Sequence, residues 1–133
     1  MKLVLRSVSK FGFHQTFHRV QQISIEFLSE STAAHDRGDN VVMYLFSEFG
    51  RRVHDNGSGT DHGAAGVAMV IGDQVNGGMY GEYPSRNPED LEQGDLVPNY
   101  DFRGAYTTLV EDWMGMDPKP IVNGNFEKFS FIK

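Results

Sequence analysis

The fold of this chain is decided by residues 41–63, which read VVMYLFSEFGRRVHDNGSGTDHG. The stretch opens with an uninterrupted apolar run, residues 41–46, and then changes to polar, charged and glycine residues. A short apolar run that starts with β-branched residues predicts a strand buried on both faces, as in a parallel sheet. In open α/β sheets, ligands lie beyond the carboxyl ends of such strands. We therefore expect the functional residues to follow this strand directly.

Composition restricts the class of protein. The 133 residues are 39% hydrophobic and 23% charged, which predicts one folded domain spanning residues 1–133. The net charge of −6 argues against a nucleic-acid surface. The chain has no cysteine, which excludes disulfides and thiolate metal sites. No apolar run approaches the ~20 residues of a membrane span, and the N-terminal stretch is too short for a secretory signal.

The first half of the chain predicts a crossover unit. Residues 3–8 have the pattern of a strand, and an apolar stripe predicts a helix over residues 16–35. With the strand at residues 41–46, this order predicts two parallel strands joined by a right-handed crossover. Residues 66–72 (GVAMVIG) predict a third buried strand. The fold class that follows is α/β, with a mostly parallel sheet flanked by helices.

The second half predicts a loop, a helix and a packed tail. Residues 74–94 are rich in glycine, proline and acidic residues without a period, which indicates a long loop or a small hairpin. Asp101 is placed to cap a second helix, which ends at the prolines after Asp117. The aromatic residues of the tail, Phe126, Phe129 and Phe131, can hold an extended segment against the core.

Three side chains that follow the predicted strand, Glu48, Asp61 and His62, are candidate metal ligands. Glu48 follows the central strand and is a candidate carboxylate ligand, or else a residue that bonds the turn or pairs with Arg51. Asp61 and His62 are predicted to lie in a glycine-rich loop, where glycine lets two adjacent side chains face one point. The structural alternative is an Asx turn beside an exposed histidine.

Several segments together resemble a known family. In order along the chain they are residues 46–52 (FSEFGRR), 56–63 (NGSGTDHG), 78–84 (GMYGEYP) and 101–103 (DFR). They look like the bacterial domain-of-unknown-function family numbered fifteen hundred and one, over residues 41–133. That family is placed with sulfatases and metal-dependent phosphomutases in the alkaline-phosphatase-like superfamily, and its members often begin with an export signal. By this resemblance the chain is expected to be the C-terminal part of an alkaline-phosphatase-like fold.

The resemblance implies a site with one or two divalent ions, zinc first, with manganese or calcium as alternatives. Glu48 would take the carboxylate position of an Asp-His pair, whose histidine is replaced by Phe49. His62 would be the later metal-binding histidine, with Asp61 beside it. Residues 11–14 (FGFH) match a Phe-Asp-Thr-His segment of the family, in which Gly12 replaces the carboxylate. His14 is kept and is a fourth candidate ligand if the loops converge.

Two functions from different classes follow. The first is metal-dependent hydrolysis of phosphate or sulfate esters, with weak or no turnover by this chain because no nucleophile can be named. The second is a non-catalytic, truncated or degenerate domain that binds a metal ion, an anion or a partner protein. A partial fold would also expose a sheet edge, which predicts self-association.

Overall fold

The computed structural model describes residues 5–7, 30, 34 and 38–133. His14 and most of the predicted helix over residues 16–35 lie outside the described residues. Two positions of that range, Glu30 and Ala34, are helical and exposed. Within the described part of the chain, no helix has the length and apolar character needed to cross a membrane.

Three short strands form the main sheet. They are β1 (Leu5–Ser7), β2 (Met43–Leu45) and, after the two strands of a separate hairpin, β5 (Ala68–Ile71). The order across the sheet is β1-β5-β2, so β5 is the central strand. It runs parallel to β1 and antiparallel to β2, with Tyr44 opposite Val70. The third predicted strand is therefore confirmed, and it occupies the centre of the sheet.

The predicted α/β class, with its mostly parallel sheet and alkaline-phosphatase-like architecture, is wrong. Two of the three strand pairings among the described residues are antiparallel, and β1 and β2 are neither neighbours nor parallel. Among the described strands, β2 pairs with β5 alone, and it is half-buried, whereas burial on both faces was expected. An apolar run specifies that a segment is buried, but strand direction depends on the connection that follows it. Here that connection is a hairpin rather than a helical crossover.

The hairpin consists of β3 (Gly50–Asp55) and β4 (Thr60–Gly63). Its turn contains Gly57 and Gly59 at φ values of +90° and +126°, which side chains other than that of glycine rarely adopt. The amide N–H of Asn56 donates to the Gly59 carbonyl at 2.8 Å. The prediction of a glycine-rich loop around Asp61 and His62 is therefore wrong, because both residues lie on β4.

The predicted second helix is confirmed. Helix α1 (Phe102–Thr108) begins after Asp101, whose carboxylate accepts the backbone N–H of Arg103 at 2.9 Å. It continues into one π-helical turn, Leu109–Trp113, closed by a bond from Met114 N–H to the Leu109 carbonyl at 3.0 Å. The prolines have a further role, because Pro118 and Pro120 open a short helix α2 (Lys119–Val122).

The core lies between β5, α1 and the tail. Ala68 and Val70 point to one face of β5 and are buried with Ala105, Phe129 and Phe131. The buried hydroxyl of Thr108 accepts the Phe129 N–H at 2.9 Å and lies 2.9 Å from the Gly104 carbonyl oxygen. The predicted attachment of the tail to the core is confirmed. Residues 74–94 form no strand, in agreement with the loop prediction, and contain one 3₁₀ turn, Pro88–Asp90.

Aromatic rings connect β2 to α1. The ring centroid of Tyr106 lies 5.5 Å from that of Tyr44 and 6.4 Å from that of Phe46. Burial raises the pKa of the Tyr44 phenol, and Tyr106 raises it further. Phe46 is half-exposed at the end of β2. Association through this edge strand stays a prediction.

Candidate functional site

One face of the hairpin, which carries Arg52, is hydrogen-bonded to the loop that precedes α1. We call this the inner face and the opposite one the outer face. The guanidinium of Arg52 donates to the Gln93 carbonyl. The carboxylate of Asp95 accepts the N–H of Ala64 at 2.9 Å and that of Leu96 at 2.8 Å. These bonds hold one face of the hairpin in place, so the side chains of the opposite face have a fixed support.

The outer face of the hairpin carries two aromatic rings and a guanidinium. The rings of Phe49 and His62 stack with centroids 3.6 Å apart and an interplanar angle of 12°. Arg51 is the cross-strand partner of His62, and its guanidinium carbon lies 5.3 Å from the Phe49 ring centroid. Its Nη1 donates to the Thr60 carbonyl at 2.7 Å. We call Phe49, Arg51 and His62 the outer hairpin cluster.

This cluster combines exposure with a fixed geometry. Arg51 and His62 are exposed, and Phe49 is half-buried beneath them. A cation over an aromatic face adds about 0.5–1 kcal/mol at an exposed site, and the cross-strand register keeps Arg51 and His62 side by side. The cluster therefore presents two exposed side chains, Arg51 and His62, on a supported surface.

The described side chains that were predicted as metal ligands, Glu48, Asp61 and His62, lie apart and make other contacts. Asp61 and His62 are consecutive residues of β4, so their side chains point to opposite faces of the hairpin. The carboxylate of Asp61 accepts the Asn56 side-chain amide at 2.7 Å. Glu48 is exposed, and within residues 38–133 it forms no ion pair with Arg51.

The donor set therefore does not gather around one point in the described part of the chain. No group of three or more histidine, aspartate or glutamate residues that could hold a metal ion is found among the described residues. Glu48, Asp61 and His62 alone do not fit an ion, because they lie on different faces and the His62 ring packs on Phe49. The four-residue metal site stays a prediction, since His14 lies outside the described residues.

Sequence reasoning missed the roles of Phe49 and Arg51. From sequence, Arg51 was considered only as a possible partner of Glu48, and Phe49 only as the replacement of a metal-binding histidine. If residues 49–52 are read as a strand, the side chains of Phe49 and Arg51 lie on one face and that of Arg52 on the other. Recognising that pattern requires the hairpin, and the apolar run before it drew attention to a parallel sheet instead.

The outer hairpin cluster is the arrangement that the structure offers as a candidate site. The chain belongs to the family described as Protein of unknown function (DUF1501), whose model matches residues 24–123, more than half of the chain. This confirms the family predicted from the motif segments. No curated protein and no solved structure matches the chain.

Proposed function

We propose that this chain is a non-catalytic domain that binds an anionic group of a ligand through the outer hairpin cluster. The observation that supports this proposal is the stack of Phe49 and His62 beside the guanidinium of Arg51. The proposal follows the second of the two functions expected from the sequence.

The chemistry of Arg51 suits an oxyanion. A guanidinium presents five N–H donors in a planar fork that matches carboxylate, phosphate and sulfate groups. One Nη of Arg51 is bonded to the Thr60 carbonyl, which orients the group and leaves further N–H donors for a ligand. The imidazole of His62 adds a ring nitrogen on the same face.

The net charge of the chain limits the number of negative charges that a ligand can carry. A net charge of −6 repels a polyanion at long range, whereas a single anionic group meets only the local field of Arg51. The ligand class that we propose is therefore a small molecule or a modified side chain with one carboxylate, phosphate or sulfate group.

The test is an NMR titration of the ¹⁵N-labelled chain with inorganic phosphate at constant ionic strength. We expect saturable shifts at Phe49, Arg51 and His62. In Arg51→Gln the affinity should fall about tenfold or more, because a hydrogen bond to a charged group contributes about 1.5–3 kcal/mol. Arg86→Gln is the matched control, since Arg86 is an exposed arginine outside the hairpin. Equal effects of the two substitutions, or the absence of saturable shifts, would contradict the proposal.

Hydrolysis of phosphate or sulfate esters by a divalent metal ion is the second candidate. It is supported by the resemblance of the motif segments to relatives placed with sulfatases, and kinship with that superfamily is part of the same candidate. Calorimetric titration of the wild type and of a Glu48→Ala, His62→Ala double variant with zinc and with manganese tests it. Tight binding that the double variant loses would favour this candidate over the anion-binding domain.

A further inference from the structure

The sequence contains three pairs of asparagine followed by glycine, at residues 56–57, 76–77 and 123–124. In such a pair the main-chain nitrogen of the glycine most easily approaches the preceding side-chain amide, because glycine has no Cβ atom to obstruct it. All three asparagines are exposed, so exposure does not distinguish them. Their hydrogen bonds and main-chain angles do.

The side-chain amide of Asn56 is held by two hydrogen bonds in the hairpin turn. Its Oδ1 accepts the N–H of Ser58 at 2.9 Å, and its Nδ2 donates to Oδ1 of Asp61 at 2.7 Å. Because a main-chain N–H only donates and a carboxylate only accepts, these bonds assign the two ends of the amide. The bond to Ser58 folds the Asn56 side chain over the Gly57 peptide unit and polarises its carbonyl group.

The N–H of Gly57 has a carboxylate as its partner. It donates to Oδ1 of Asp55 at 2.6 Å. A carboxylate in this position acts as a general base on the attacking nitrogen, and an N–H donor on the amide oxygen stabilises the negative charge that develops there. Asp55 and Ser58 therefore provide both groups around the bond that would form between Gly57 and Asn56.

The other two pairs are held differently. The amide nitrogen of Asn76 donates to the carbonyl groups of Ser130 and Ile132 at 3.2 Å and 3.3 Å, which attaches this side chain to the tail. Asn123 has left-handed main-chain angles, with φ of 53° and ψ of 54°. At this ψ the nitrogen of Gly124 lies nearly anti to the Cβ atom of Asn123, so the side chain cannot reach it unless the main chain rotates.

We propose that Asn56 is a site of spontaneous deamidation in the folded chain. The nitrogen of Gly57 bonds to Cγ of Asn56 while the bond from Cγ to Nδ2 breaks. Asp55 takes the Gly57 proton and returns it to the departing nitrogen, which leaves as ammonia. Water then opens the cyclic imide at either carbonyl group, and the product has aspartate or isoaspartate at position 56.

The product changes the turn. A carboxylate replaces the amide that donates to Asp61, so two negative charges face each other where a hydrogen bond had been. Isoaspartate also adds a methylene group to the main chain between Asp55 and Thr60, which are paired across the hairpin. Deamidation of Asn56 therefore weakens the hairpin.

The test is incubation of the full chain at mildly alkaline pH, followed over time by peptide mapping with mass spectrometry that separates asparagine, aspartate and isoaspartate. We expect Asn56 to react about tenfold or more faster than Asn76 and Asn123, because general-base catalysis gives accelerations of at least this order. In concentrated urea the three pairs lose their contacts, so their rates should become similar. A folded chain in which Asn56 reacts no faster than the other two would overturn the proposal.

A matched pair of variants tests the role of the carboxylate. Asp55→Asn keeps an oxygen that accepts the Gly57 N–H but cannot take its proton, so deamidation of Asn56 should slow about fivefold or more. Asp73→Asn should leave the rate unchanged, since Asp73 is an exposed aspartate outside the hairpin. The rate at Asn123 is the internal reference, and circular dichroism verifies that both variants are folded. Equal rates at Asn56 in the two variants would contradict the proposed general base.

Discussion

At the residue scale, Asp101 shows how one side chain can be assigned from sequence and then tested. Its carboxylate accepts the Arg103 N–H and also faces the Arg103 guanidinium, with Nη2 2.6 Å from Oδ2. The hydrogen bond from the Arg103 side chain lowers the pKa of Asp101, although partial burial opposes this shift. Asp101 therefore supports α1 both as a helix cap and as an ion-pair partner.

Replacing Asp101 separates these two contributions. Asp101→Ala removes the cap and should lower the free energy of unfolding by about 1 kcal/mol. Asp101→Asn keeps a capping oxygen and loses only the charge, so we expect a smaller loss, since the ion pair is more than a third exposed. Urea unfolding of both variants at pH 7 measures these differences.

The stability difference between the wild type and Asp101→Asn should depend on pH in a predictable direction. Because the pKa of Asp101 is lower in the folded state than its ordinary value of 3.8, its charge stabilises the fold above that value. The contribution is lost as pH falls through the folded-state pKa. The stability difference between wild type and Asp101→Asn should therefore shrink on acidification below pH 4. A difference that stays constant with pH would show that the charge does not contribute.

At the element scale, the contact between α1 and the tail is set by a glycine. A Cβ atom added to Gly104 would lie 2.2 Å from the Glu127 carbonyl oxygen and 3.1 Å from the Phe129 ring. Alanine in an exposed helix is about 1 kcal/mol more favourable than glycine, but here the tail backbone would have to move. The close approach of helix and tail therefore depends on the absence of a side chain.

Gly104→Ala should consequently destabilise the protein by about 1–3 kcal/mol, in the range of overpacked cores. Thermal and urea unfolding followed by circular dichroism are suitable measurements. Gly115→Ala is a useful comparison, because no atom lies within 4 Å of its added Cβ and only its φ of +66° is unfavourable. A Gly104→Ala variant as stable as the wild type would show that the helix–tail contact is looser than described.

The elements differ in how well the sequence predicts them. Asp101, the helical spacing after it and the apolar run before Gly72 carry local signals, so α1 and β5 were predictable. The direction of β2 depends on contacts with β5, which no local pattern contains. Gly57 and Gly59 indicate a turn in the sequence. The strands on either side of that turn are mostly polar and exposed, so they lack the apolar alternation that indicates a strand.

At the scale of the whole molecule, the four-residue metal site stays a prediction, because His14 lies outside the described residues. The segment after β2 carries Glu48 and the outer hairpin cluster, and the motif segments around it led to the correct family. The expectation of a metal site came from the residue types, from their position after a predicted strand and from the family resemblance. Which side chains share a face is decided by the register of β3 and β4, and that register pairs His62 with Arg51 and separates it from Asp61.

The central claim is that the hairpin binds an anionic group without catalysis, and 4-nitrophenyl phosphate tests it most directly, as both a ligand and a substrate. In the presence of zinc, we predict NMR shifts at Phe49, Arg51 and His62 that Arg51→Gln greatly weakens, and no release of 4-nitrophenolate above a protein-free control. Release of 4-nitrophenolate that is lost in the Glu48→Ala, His62→Ala double variant would contradict the account and identify a metal-dependent hydrolase.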